Sequence, residues 1–135
     1  MKALHIGDLK ASLPIIQGGM GVAVSLSKLA SAVADEGGIG IISSAAIGML
    51  IPNFSRNFQE ANKLALRQEI QKARKKTKGI IGVNIMVALT DYMDQLEVAV
   101  EEGVDLVICG AGLPLKVPEI LLKDKTGKNR TKFVP

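Results

Sequence analysis

Three short stretches of this 135-residue chain place small or amide-bearing residues where chemistry needs them. The first is Gln17-Gly18-Gly19-Met20-Gly21, the second Gly82-Val83-Asn84-Ile85-Met86, the third Cys109-Gly110-Ala111-Gly112. Glycines suit places where the backbone turns sharply or where another molecule approaches it closely. An asparagine within an apolar run is costly to bury unless its amide is hydrogen-bonded. That amide offers a donor and an acceptor either to neighbouring backbone or to a polar ring or ribityl group. Small residues after a strand leave backbone N–H groups free, with space beside them.

Other familiar chemistries are missing. A dinucleotide fingerprint begun at Gly19 fails at its sixth position, Val24, and no acidic residue closes the next strand. Gly127-Lys128 runs into Asn129, which breaks a phosphate loop. No His, Cys or carboxylate cluster has metal spacing, and no nucleophile stands with a base, so no residue is assigned as catalytic. His5 reads as an exposed bystander in a leader before the first strand, and Cys109 as a buried, inert thiol. Asp35, Glu36, Glu101 and Glu102 sit at helix ends as solvated charge. Any redox or group-transfer chemistry must therefore be borrowed from a cofactor. The plain alternative for Gly18–Gly21 is a tight strand-to-helix turn.

The elements that would position these stretches alternate in type. Leu13–Gln17 predicts a strand apolar on both faces. Leu26, Leu29, Ala30, Val33 and Ala34 recur at helical spacing, with Ser25 as the expected N-cap and Gly37 and Gly38 as the stop. Ile39–Ile42 predicts a second strand. The apolar positions from Phe54 through Phe58, Ala61, Ala65, Leu66 and Ile70 to Ala73 predict one long helix. Further strands are expected at Ile80–Met86, Asp105–Cys109 and Lys132–Val134, with helices at 91–102 and about Lys116–Leu122. Apolar strands alternating with helices imply parallel pairing and an α/β fold in a single domain, residues 1–135. All three candidate stretches then lie at strand C-terminal ends, where ligands of such folds sit. The chain holds four to five βα units, against the eight of a closed barrel.

Bulk composition narrows the class. The net charge of +4 is accounted for by Lys123–Lys132, where five basic residues meet one acidic one. A second basic cluster, Lys72–Lys78, sits where a helix should end, which favours cations. With 3% aromatics and no stacking motif, nucleic-acid binding is not expected. No apolar run is long enough to span a bilayer, so no membrane partner is expected either. The start MKALHIGDLK lacks the apolar core of a secretory signal, and a single cysteine fits a reducing cytoplasm.

Taken in order and spacing, PIIQGGM, GGIGIISS, GVNIM and EEGVDLVICGAGLP resemble the nitronate monooxygenase family, formerly called 2-nitropropane dioxygenase. That family includes FMN-dependent enoyl-acyl-carrier-protein reductases. The likeness runs from about Leu13 to Pro114 and implies the first four to five βα units of a (β/α)8 TIM-type barrel holding FMN. It implies that Gly18, Gly19, Met20, Gly21, Asn84 and Met86 line the flavin and that Gly110, Ala111 and Gly112 border the substrate. The implied reaction is oxidation of alkyl nitronates by dioxygen, or in the reductases hydride delivery to an enoyl thioester. The segment around Met49–Lys78 favours the monooxygenase. The family's glycine-flanked catalytic histidine and its phosphate-binding loops fall beyond the matched stretch, and His5 does not match them. The chain alone is therefore expected to be inactive. A non-catalytic half-barrel self-associating through its open edges is the alternative.

Overall fold

The computed structural model describes residues 1–115 and 131–135. The helix expected near Lys116–Leu122 and most of the basic loop lie outside the described residues.

The chain opens on an antiparallel hairpin, β1 (Leu4–Ile6) and β2 (Leu9–Ala11), in register Leu4↔Ala11 and Ile6↔Leu9. Gly7, at φ +60, takes the first of the two turn positions, a conformation that glycine adopts without strain. The expectation of a mere leader is corrected here. The missed signal is the Gly-Asp pair between two runs that alternate apolar and polar.

Four parallel strands follow in sequential order: β3 (Ile39–Ser43), β4 (Ile80–Met86), β5 (Leu106–Gly110) and β6 (Lys132–Val134). Three helices cross between strands: α1 (Ser27–Asp35), α2 (Phe58–Lys76) and α3 (Tyr92–Glu101). Because strand side chains alternate, the sheet has two faces with different fates. One face, with Ile42, Ile81, Val83, Ile85, Val107 and Cys109, packs against the helices in a fully apolar layer. The other face turns inward, with Ile39, Ile41 and Leu106 buried beneath the hairpin residues Leu4, Ile6, Leu9 and Ala11. The hairpin is thus the floor of the inner face, fastened by a 2.5 Å ion pair from Lys132 Nζ to Asp8 Oδ1.

The first expected strand needs correction. Leu13–Gln17 runs parallel to β3 but joins it through a single bridge, Ile16↔Ile39, and a few bonds such as Ile39 N–H to Ile15 O at 2.9 Å. Pro14 has no N–H to give a ladder, and Ile15 and Ile16 are 49% and 43% exposed rather than buried on both faces. The long helix also starts later than its apolar spacing implied. Phe54 belongs to a separate 3₁₀ turn, Phe54–Arg56, and Asn57 caps α2 by accepting the Glu60 N–H at 3.3 Å. Phe58 is half exposed.

Polar residues fix how the helices sit. Ser25 is not the cap of α1; the cap position is Leu26, and the Ser27 N–H donates instead to Glu69 Oε2 at 2.9 Å, from the side of α2. Burial pushes the Glu69 carboxyl up, but its bonds from Lys72 and Ser27 outweigh this and hold it below the usual carboxylate range. A carboxyl lowered on folding stabilises the fold above its unfolded value and loses that contribution as pH falls through its folded one. Glu69→Gln keeps an acceptor for Ser27 but not the charge. Its thermal midpoint is therefore expected to fall less steeply than the parent's between about pH 5 and pH 3. Parallel curves would show that Glu69 does not carry this dependence.

A second network lies under the loop after β3. Asp91 Oδ2 accepts from Asn62 Nδ2 and Gln95 Nε2, each at 2.7 Å, while Asn62 Oδ1 accepts the Gly48 N–H at 2.7 Å. It ties the 3₁₀ turn Ile47–Leu50 to α2 and the start of α3.

Candidate functional site

The parallel register lines up residues from neighbouring strands at each height of the inner face. Ile41, Gly82 and Leu106 form one layer, and Ser43, Asn84 and Ile108 the next. At the rim, Met86 stands beside Gly110. Asn84 therefore projects from the inner face just above an apolar plug, and Ser43 is its neighbour on β3. The amide of Asn84 makes no hydrogen bond to another described residue, whereas its backbone carbonyl accepts from both the N–H and the hydroxyl of Ser44 at 3.1 and 3.0 Å. The backbone-bonded reading of this asparagine side chain fails.

The loop after residue 17 closes over this layer. A Cβ on Gly19 would lie 2.6 Å from Asn84 Cβ and 3.2 Å from Ile41 Cγ2, so the Gly19 backbone rests directly on the Asn84 side chain. Gly21 sits over Ala45 and Ser43 in the same way, at 3.1 and 3.4 Å. A Cβ on Gly18 or Gly110 would meet nothing within 4 Å among the described residues, so internal packing does not require glycine at either place. The Met20 side chain is 62% exposed and Met86 is 37% exposed at the rim. Ala111, at φ +56, and Gly112, at φ +148, turn the chain out of β5, with Gly112 against Val87.

The predicted residues thus divide. Gly19, Gly21 and Asn84 come together at one spot. Met86 and Gly110 neighbour each other on the rim above it, and Gly18, Met20, Ala111 and Gly112 are exposed around it. Three residues there had no site role assigned from the sequence: Ser43, Gln17 and Ser25. Gln17 Nε2 donates to Gly18 O at 2.6 Å and Ser25 Oγ at 2.9 Å, while its Oε1 accepts the Ile41 N–H at 3.0 Å. Ser43 was recoverable from strand parity, since it shares the face of Ile39 and Ile41. No local pattern pairs Gln17 with Ser25.

His5 is exposed in the floor hairpin, which packs on the inner face below the Asn84 layer. Cys109 faces the helices, and burial pushes its thiol up to about 11, so it is a poor nucleophile. Among the described residues no cluster could hold a metal, and no helix is long and apolar enough to cross a membrane.

Comparison with known proteins bears on the family and the fold. No curated protein matches in a sequence search. FabK from Thermotoga maritima is 34% identical, with a TM-score of 0.68 over 90% of this chain and 33% of that one. Its M276A mutant superposes with a TM-score of 0.70, covering 35% of that chain. Nitroalkane oxidase from Streptomyces ansochromogenes, at 20% identity and TM-score 0.62, covers 80% of this chain and 38% of its own, and shows the fold alone. The chain spans about a third of the length of these solved structures, the first units of a TIM-type barrel. The family model for nitronate monooxygenase matches residues 2–122, and the chain belongs to that family.

Proposed function

We propose that this chain supplies the ring-binding part of an FMN-dependent oxidoreductase that oxidises alkyl nitronates with dioxygen. The observation that carries the reading is the Gly19 backbone seated on Asn84, whose amide is unspent, in a chain of this family. Its residues fit a flat polar ring. Asn84 offers a donor and an acceptor, Gly19 and Gly21 admit close approach, and Ile41 and Leu106 close the space beneath. Gly18, Met20 and Met86 would flank the ring, and Gly110, Ala111 and Gly112 would border the substrate. When bound, FMN would supply the electron transfer that no side chain here provides. The chain's own contribution is to bind, orient and exclude water from one face of the ring.

A second reading, an FMN-dependent enoyl-acyl-carrier-protein reductase, is favoured by the 34% identity to FabK. In both readings the isolated chain holds FMN weakly and turns over neither substrate, because phosphate-gripping and proton-handling residues are expected outside it. The test is an FMN titration of the chain followed by activity assays of a chimera. In the chimera, these residues replace the aligned third of the Thermotoga FabK barrel. Weak but saturable perturbation of flavin absorbance by the chain, and flavin retained by the chimera, support the cofactor assignment. An unperturbed flavin spectrum in both would overturn it. Nitronate-dependent oxygen uptake by the chimera supports the monooxygenase, and NADH-dependent enoyl reduction alone supports the second reading.

A further inference from the structure

Gln17 and Ser25 converge on one atom, the carbonyl oxygen of Gly18. Gln17 Nε2 donates to it at 2.6 Å and Ser25 Oγ at 3.1 Å. Ser25 Oγ also accepts the Met20 N–H at 2.9 Å, and the Ser25 N–H donates to Met20 O at 2.9 Å. The pair is anchored to β3 at two points, through Ile41 N–H to Gln17 Oε1 at 3.0 Å and Ser43 N–H to Ser25 O at 2.9 Å. Ser25 is 1% exposed, so its hydroxyl is committed to this loop and not to solvent. A tight turn needs no such double grip on one carbonyl.

The consequence follows from peptide planarity. In a trans peptide the carbonyl and the following N–H point in opposite directions. With the Gly18 carbonyl held toward Ser25, the Gly19 N–H is turned the other way, and it has no acceptor among the described residues. The Gly19 Cα lies against Asn84, whose amide is also free. Two residues in contact above the apolar plug, from different parts of the chain, therefore each hold an unspent polar group.

We propose that Gln17 and Ser25 are positioning residues that lock the Gly18 carbonyl inward. The lock presents the Gly19 N–H, beside the Asn84 amide, to an acceptor atom on the edge of a bound heteroaromatic ring. The proposal rests on the flavin reading and adds the device that sets the donor before the ring arrives. A donor fixed in advance costs no ordering on binding, which is where the affinity arises.

The test is FMN titration of the ¹⁵N-labelled chain, read by amide NMR, in the parent, Gln17→Glu and Ser25→Ala. Gln17→Glu keeps the acceptor used by Ile41, removes the donor and adds a negative charge. It is therefore titrated with uncharged riboflavin as well as FMN, and it remains informative if Ser25→Ala does not fold. In the parent, the Gly19 amide and the Asn84 side-chain amide are expected to shift together and saturably. Each variant should weaken FMN roughly three- to tenfold, the worth of one neutral hydrogen bond. It should also shrink the Gly19 response while the core amides of Ile42, Val83 and Val107 keep their positions. Replacing FMN by riboflavin should leave the Gly19 response in place, since the ring and not the phosphate drives it. If Asn84 and Gly110 move on titration while Gly19 stays still, or if both variants bind as the parent does, the positioning role is overturned and the flavin reading stands. If no amide of the parent responds, the flavin reading falls and the proposal with it.

Discussion

Gly19→Val is expected to weaken FMN by at least about thirtyfold, the combined effect of an overpacked contact and a displaced amide donor. The first added carbon alone would stand 2.6 Å from Asn84 Cβ and 3.2 Å from Ile41 Cγ2. Since Ile41 is fully buried, the side chain that yields is Asn84, and its amide leaves the place where a ring would meet it. The remaining valine methyls then occupy the approach to the sheet. A fluorescence titration of FMN checks the loss, and urea unfolding checks that the fold survives, with about 1–3 kcal/mol of destabilisation allowed for overpacking. Gly18→Ala separates a ligand from a mere turn. A Cβ there meets nothing within 4 Å, so stability should hold while flavin binding weakens. If Gly18→Ala changes neither, Gly18 lies outside the path of the ring.

The largest expected effect on folding comes from a glycine outside the candidate site. Gly40 is the second residue of β3, on the helix side, and a Cβ there would lie 1.9 Å from the carbonyl oxygen of Ala30 in α1. No rotamer relieves a backbone-to-backbone collision, so α1 must lift from the sheet. That motion would separate Ala30 and Ala34 from Ile42 and pull the Ser27 N–H from Glu69. Gly40→Ala is therefore expected to cost about 3 kcal/mol or more, a large share of the roughly 5–15 kcal/mol that holds an ordinary domain. Gly103→Ala supplies the contrast. Its φ of +65 strains an alanine, but a Cβ would meet nothing within 4 Å, so the cost should be about 1–2 kcal/mol. Urea denaturation of the two variants decides whether contact or conformation dominates. Equal losses would contradict the close packing of α1 on β3.

Much of this could be read from residue order. The runs Ile39–Ile42, Ile80–Met86 and Asp105–Cys109 lack polar alternation, and only a sheet covered on both faces buries such strands, so parallel α/β architecture follows from the sequence. Strand ends then place Gly18–Gly21, Asn84 and Gly110–Gly112 on one rim without coordinates. Helix α3 was readable in the same way, from Leu96 and the stop at Gly103, whose φ is +65.

What the sequence by itself determined, then, is the class of fold and the rim on which most of the small candidate residues lie. Only the tertiary structure decided which of those residues meet. Strand register sets Ser43 beside Asn84, and register is fixed by how β3 and β4 settle against the helices rather than by either strand alone. The exposed Leu13–Gln17 segment, the floor hairpin and the Gln17–Ser25 grip on Gly18 likewise arise from contacts between distant segments. Ser25 looked like a helix cap because its local neighbours allow it; Glu69, 42 positions from Ser27, takes that role and leaves the Ser25 hydroxyl to hold the loop. Local pattern records which conformations a residue favours, and the partner its polar atoms finally take is settled by three-dimensional packing.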